Sequence, residues 1–227
     1  MTTSKRLQWD ATGERAFETG LDRGVLYPVD ASGTYPLGHA WNGLTGVSES
    51  PSGAEPNKSF ANNSVYLTIM STEEYACTIE AFTYPDEFAK CDGTASPTVG
   101  LSVHQQARSP FGLAFRTLIG DDVLGQDKGY KLHLVYGGMA SPSERSNATI
   151  GETPEAMTFS WEVSTTPVFI EGQDELRPTA KLTIDSTKVD KTKLAALEVI
   201  LYGSEEAAAR LPLPGEIITL LSDGIGG

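Results

Sequence analysis

The chain has 227 residues, of which 39% are hydrophobic, and its mean hydropathy is -0.21, values that fit one large domain with a substantial core and exclude a disordered or membrane-embedded chain. Seventeen Lys and Arg against 30 Asp and Glu give a formal charge of -13 and a pI near 4.6. No window is rich in Lys or Arg, so tight nucleic-acid binding, which rests on clustered cations neutralising phosphates, is excluded.

Met1 to Arg15 are polar and hold no apolar run of the length a secretory signal needs, so no export is expected. Leu194 to Tyr202 is the most apolar later stretch, but Glu198 breaks it and it is far shorter than the roughly 20 residues that cross a bilayer. Cys77 and Cys91 fit free thiols in a reducing compartment, which leaves the sequons at Asn62 and Asn147 as turn residues.

Period-two alternation dominates the chain, the pattern of half-buried strands in an antiparallel sheet. From about Thr45 to Asn63 the sequence is rich in Ser, Pro, Gly and Asn and reads as a long irregular loop. Val65, Leu67 and Ile69 then share one face of a short strand, and Cys77, Ile79 and Ala81 oppose Thr78, Glu80 and Phe82 on the next; the two are expected to form a hairpin. Pro85, Asp86 and Glu87 open a short helix that ends before Gly93. Phe111, Leu113, Phe115, Thr117 and Ile119 form another strand face, followed after an acidic tip by Tyr130, Leu132, Leu134 and Tyr136 against Lys131, His133 and Val135.

Gly137 to Pro154 reads as a second irregular stretch. Beyond it Met157, Phe159, Trp161 and Val163 oppose Thr158, Ser160, Glu162 and Ser164 in the clearest alternation of the chain, a strand of about nine residues or roughly 30 Å, long enough for a barrel wall. Ala180, Leu182 and Ile184 close the series of strands. Asp190 caps a flanking helix over 190–202 with a stripe of Leu194, Leu197 and Leu201, a staple between Val189 and Leu194, and Gly203 as terminator. Gly215 to Leu221 adds a final turn or two, and the whole is expected to be a single, mainly β domain.

The residues point to no catalytic chemistry. His39, His104 and His133 lack metal-binding spacing, and His133 is expected to face solvent or an interface. Nucleophile elbows and phosphate-cradling glycine loops are absent, and none of the 30 acids is singled out as a hydrolytic pair. Asp121, Asp122 and Asp127 between Gly120 and Gly129 lack the register of a calcium loop. Trp161 belongs with the core, whereas Trp41 stays open as a sugar-stacking surface. Neither an enzyme nor a bound cofactor is expected.

A series of longer motifs runs through the chain in order: Gly24-Val25-Leu26-Tyr27-Pro28, Trp41-Asn42-Gly43-Leu44-Thr45, Ser50-Pro51-Ser52-Gly53-Ala54-Glu55 and the run from Ile79 to Phe88. Phe111-Gly112-Leu113, the run from Tyr130 to Gly137, Pro142-Ser143-Glu144-Arg145, Phe159-Ser160-Trp161 and Thr165-Thr166-Pro167-Val168 continue it. Together, over about residues 20 to 221, they resemble the major tail protein family of siphophages. Phe60-Ala61-Asn62-Asn63 departs from the family's pattern, which has a tyrosine and an aspartate there. The chain runs to Gly227 without the immunoglobulin-like domain of some members, so no decoration of an outer surface is expected from it.

The resemblance implies a phage tail-tube-type antiparallel β-sandwich with a flanking α-helix. Its sheets would join across subunits into a ring-shaped barrel, and hexameric rings would stack into a conduit for DNA in the virion tail, assembled in the host cytoplasm. The implied partners are further copies of the chain, a tape measure protein and tail terminator or distal tail proteins. DNA would transit without specific binding, and no membrane is involved. On that reading the whole of 1–227 is one tail tube domain with an N-terminal arm at 1–20. Strand alternation then makes Glu80, Arg116, Lys131, Thr158, Ser160 and Glu162 candidates for the lumen wall. Both termini and the 45–63 loop, with Thr45, Glu49, Glu55, Lys58, Phe60 and Asn62, are the candidates for contact between rings. The alternatives are a tube subunit of a phage-derived injection or secretion system, a monomeric carbohydrate-binding β-sandwich, and a hydrolase.

Overall fold

Alternating apolar and polar side chains make strands the dominant regular structure of this chain, and the strands pair both with neighbours in sequence and with partners far from them. The computed structural model describes residues 6–150 and 156–222. Its main sheet contains β1 (Phe17–Pro28), β2 (His39–Ala40), β3 (Leu44–Glu49), β6 (Ala76–Ala81), β9 (Phe111–Asp121), β10 (Gly125–Ala140), β11 (Phe159–Thr165) and β12 (Lys181–Asp185). Their order is β2-β1-β9-β10-β11-β6-β3, with β12 also on β10, and every pairing is antiparallel. Two hairpins stand apart from this sheet, β4 (Pro56–Ala61) with β5 (Ser64–Met70), and β7 (Ala95–Thr98) with β8 (Leu101–Val103). Helices α1 (Lys191–Tyr202) and α2 (Pro214–Leu221) follow β12.

The 16-residue β10 divides the sheet. Lys131 to Val135 pair with β12, whereas Gly138 to Ala140 pair with β11. The change of partner falls at Gly137, whose φ of 59° is open to glycine but strained for other residues, and whose missing Cβ would lie 2.1 Å from the Thr166 carbonyl oxygen. One limb, β11-β6-β3, then faces β1, β9 and β10 across a core of Leu26, Phe111, Leu113, Trp161, Ile79 and Phe88. The reverse face of β1, β9 and β10 carries Val25, Tyr27, Ala114, Leu132, Leu134 and Tyr136, and packs under Leu194, Leu197 and Leu201 of α1 and Ile217 of α2. This is a mainly β, antiparallel arrangement that fits a sandwich flanked by helices.

The flanking helix forms as its sequence dictates. Asp190 accepts hydrogen bonds from the backbone N–H of Thr192 (2.9 Å) and Lys193 (3.1 Å), and Gly203 ends the helix with φ 80°. The segment after Pro85 is a single 3-10 turn, Asp86–Lys90, that delivers Phe88 to the core.

Several expectations are corrected. Val65, Leu67 and Ile69 do not pair with Cys77, Ile79 and Ala81: β5 pairs with β4, and β6 lies between β3 and β11. Alternation marks a strand but carries no information about its partner. The stretch 45–63 is not an irregular loop, because it contains most of β3 and the whole of β4, whose polar residues Pro56-Asn57-Lys58-Ser59 hide the strand from a hydrophobicity pattern. Gly137 to Ala140 belong to β10, and β11 starts at Phe159, leaving Met157 and Thr158 outside it. The N-terminal arm gives way to β1 at Phe17, and its first five residues lie outside the described residues, as does 151–155 of the second long stretch.

Candidate functional site

The limb β3-β6-β11 shows one face to the core and the other to the outside. Glu80 stands between Gly46 and Ser160, and Thr78 between Ser48 and Glu162, each row directly in register. The outer sides of these rows are exposed or half-buried and hold the carboxylates of Glu80 and Glu162 without a cation among them. Thr158, one residue before β11, is exposed and continues the row Ser160, Glu162 by alternation. Four of the expected wall residues thus share one acidic outer surface.

Arg116 and Lys131 do not join them. Arg116 sits opposite Leu132, on the helix side of β9, where Nε and Nη2 donate to the Asp22 carboxylate (2.7 and 2.5 Å) and the guanidinium lies 4.7 Å from the Tyr130 ring centre. That bidentate pair holds the Asp22 carboxyl below the usual range against the opposing effect of burial. Lys131 lies on the other face of β10, toward β1, where its ammonium pairs with Glu18.

Glu49 ends β3 with its carboxylate paired to the Lys181 ammonium of β12 and 4.0 Å from His133 Nδ1. His133 itself is a correction, since it is buried rather than solvent-facing. Its ring stacks on Phe115 at 4.6 Å, its Nε2 shares a 2.9 Å hydrogen bond with the Thr117 hydroxyl, and burial followed by the nearby Lys181 charge pushes its pKa down to about 4. The imidazole is therefore neutral at physiological pH.

The other expected ring-contact residues separate along the fold. Thr45 is exposed at the bulge that opens β3, at the far end of that strand from Glu49. Glu55, Lys58, Phe60 and Asn62 belong to the β4–β5 arm, which continues the β3–β6 ladder through the Ser52–Glu74 bridge. Gly53 makes the turn into the arm with φ 86°, where a Cβ would come within 2.1 Å of the Thr72 carbonyl oxygen. Every residue of both arm strands except Ala61 is exposed, including Phe60, Tyr66, Ile69 and Met70. Val65, Leu67 and Ile69, expected on one face of a half-buried strand, are exposed on β5, and a register shift at Tyr66 interrupts their alternation.

Among the described residues no group of three or more His, Cys, Asp or Glu could hold a metal ion. Asp121 accepts from the backbone N–H of Val123 and Leu124 and pairs with Lys128, contacts that hold its carboxyl low and leave it closed on its own hairpin. Burial pushes both thiols, Cys77 and Cys91, up to about 12, so they stay protonated and unreactive. Trp41 is buried, donates through Nε1 to the Thr83 carbonyl at 3.0 Å, and packs against Phe88 and Trp161; it offers no sugar-stacking surface. No described helix is long and apolar enough to cross a membrane. In comparisons with known proteins, the chain matches no family model and no curated protein significantly.

Proposed function

We propose that this chain is a structural subunit that polymerises as stacked hexameric rings into a phage tail tube, the conduit for DNA. The observation that carries the reading is the β4–β5 arm. An isolated two-stranded hairpin is at best marginal in water, yet this one presents Phe60, Tyr66, Ile69 and Met70 to solvent on a well-formed ladder. Such an element is completed by a neighbour. The acidic outer face of β3-β6-β11, with Glu80, Glu162, Ser160 and Thr158, suits a tube wall, because a surface without cations repels phosphate and lets DNA slide. Screening beyond roughly 8 Å at physiological salt keeps the mutual repulsion of copies local.

The resemblance of the ordered motifs to siphophage major tail proteins supports the same reading, as does the burial of Trp41 and Trp161 against the carbohydrate-binding alternative. Negative-stain microscopy of the concentrated protein tests it. Rings or tubes with a central hole are expected; a monodisperse monomer across the whole concentration range would refute the proposal.

A further inference from the structure

A second hairpin, unassigned by the reading above, stands apart from the main sheet. The hairpin β7–β8 projects from the segment between Gly93 and Ala107, in which there is no Asp, Glu, Lys or Arg. Val99 at its tip is fully exposed, and Leu101 and Val103 are exposed beside it. Its base is fixed: the Gln106 N–H donates to the Gly93 carbonyl at 3.0 Å, and the Thr94 hydroxyl and His104 Nδ1 share a 3.0 Å hydrogen bond. The β4–β5 arm has the same character, since Lys58 is the only charged side chain from Pro56 to Thr72. In a chain with 30 acidic and 17 basic residues, the segments 56–72 and 93–107, both with uncovered apolar side chains, hold a single charge between them.

Their placement follows from β6. The β4–β5 arm grows from the Ala76 end of that strand, where Ser50 N–H donates to the Ala76 carbonyl and Ser52 bridges Glu74. The β7–β8 arm is rooted past the Ala81 end, through the 3-10 turn, with Thr94 N–H donating to the Ala89 carbonyl. The return leg of β7–β8 passes through Arg108, whose Nη1 donates to the Ala140 carbonyl at 2.9 Å. Copies that share a charge of -13 repel where their bodies meet, so contact through these sparsely charged arms avoids burying like charges.

We infer that β7–β8 is the seat for the β4–β5 arm of a second copy of this chain, an unlike pairing of the two arms. The inference rests on the tube-subunit reading, in which every ring has the same orientation and the axial contact is heterologous, open and self-propagating. Phe60 and Met70, which the register places on one face of the arm, would then cover Val99, Leu101 and Val103.

The test mixes two single-cysteine variants, Phe60→Cys and Val99→Cys, under assembly conditions with a short bismaleimide. Both sites are exposed, and the native thiols Cys77 and Cys91 are buried and do not compete. A cross-linked dimer that forms in the mixture and exceeds either variant alone is the expected result. Wild-type rings or tubes together with cross-links only between like variants, or none, would overturn this inference and leave the tube reading standing. Absence of wild-type assembly in the same microscopy would overturn both. Val99→Glu combined with Leu101→Glu should keep the fold, read by circular dichroism, and raise the concentration needed for tube formation by about tenfold or more.

Discussion

Strands β9 and β10 and the arm β4–β5 are all built from alternating sequence, and they meet opposite fates. Along β9 and β10 both faces are covered, one by the limb carrying Trp161 and Ile79, the other by α1 and α2. Along β4 and β5 neither face is covered. The body is a closed system whose stability comes from its own contacts, whereas the arm is a ladder of hydrogen bonds without a core. Perturbations of the body should therefore change unfolding, and perturbations of the arm should change association.

The largest effect is expected at Phe88. Its ring is fully buried, 4.7 Å from Trp41, 5.0 Å from Trp161, 5.4 Å from Phe111 and 6.0 Å from Tyr84, so Phe88→Ala leaves a cavity where four aromatic groups converge. Equilibrium urea unfolding should lose about 3–5 kcal/mol. A loss below about 1 kcal/mol would mean that the core between the limbs is loose, and the contrast with the arm would fail.

Acid comes next. The folded state holds the His133 pKa near 4 against 6.5 for a free imidazole, so between those values the unfolded chain binds more protons. The contribution is fully present above about pH 6.5, declines as pH falls toward 4 and is constant below, for a total of up to about 3 kcal/mol. Lys181, Glu49, Glu18 and Lys131 face the same ring, so the diagnostic quantity is the difference between wild type and His133→Phe. The wild type should lose more stability than the variant between pH 6.5 and 4.5; parallel curves would show that the ring is hydrated. A smaller loss of about 1 kcal/mol, read by thermal melting, is expected for Asp190→Ala, which removes the acceptor for Thr192 and Lys193 at the start of α1.

How much of this was legible follows from what each element buries. Helix α1 was readable to the residue at both ends because capping is local: Asp190, Val189, Leu194 and Gly203 sit within a few positions of what they contact. Strands β6, β10 and β12 were readable as strands because each alternates. β1 was not, since Val25, Leu26 and Tyr27 are consecutive residues buried on two faces and bulges interrupt its register with β9. The hairpin β7–β8 was missed because Ala95-Ser96-Pro97-Thr98 has no pattern, and β4 because its side chains are mostly polar. Pairing was the weakest point: β3 meets β6 from 30 or so residues away, a distance that no alternation encodes. At the candidate surface, Glu80, Ser160 and Glu162 fell on one face as alternation required. Arg116 could not be sorted from sequence, because its partner Asp22 lies 94 residues upstream on a strand that the pattern did not show.

The smallest change in stability should accompany the largest change in assembly. Replacing 54–72 by a short Gly-Ser turn removes both strands of the arm, whose side chains contribute nothing to either core. The root remains, since Ser50 pairs with Ala76 independently of the hairpin. Unfolding free energy should shift by less than about 1 kcal/mol, the range of surface changes, while tubes disappear from micrographs of the deletion variant. Both halves are needed. A large loss of stability would show that the arm supports the body of its own chain, and tubes of normal length would show that copies meet through some other surface. With stability intact and tubes gone, the apolar side chains of the arm have no remaining role except contact with another molecule, and the assembly behaviour of the wild type identifies that molecule as a second copy.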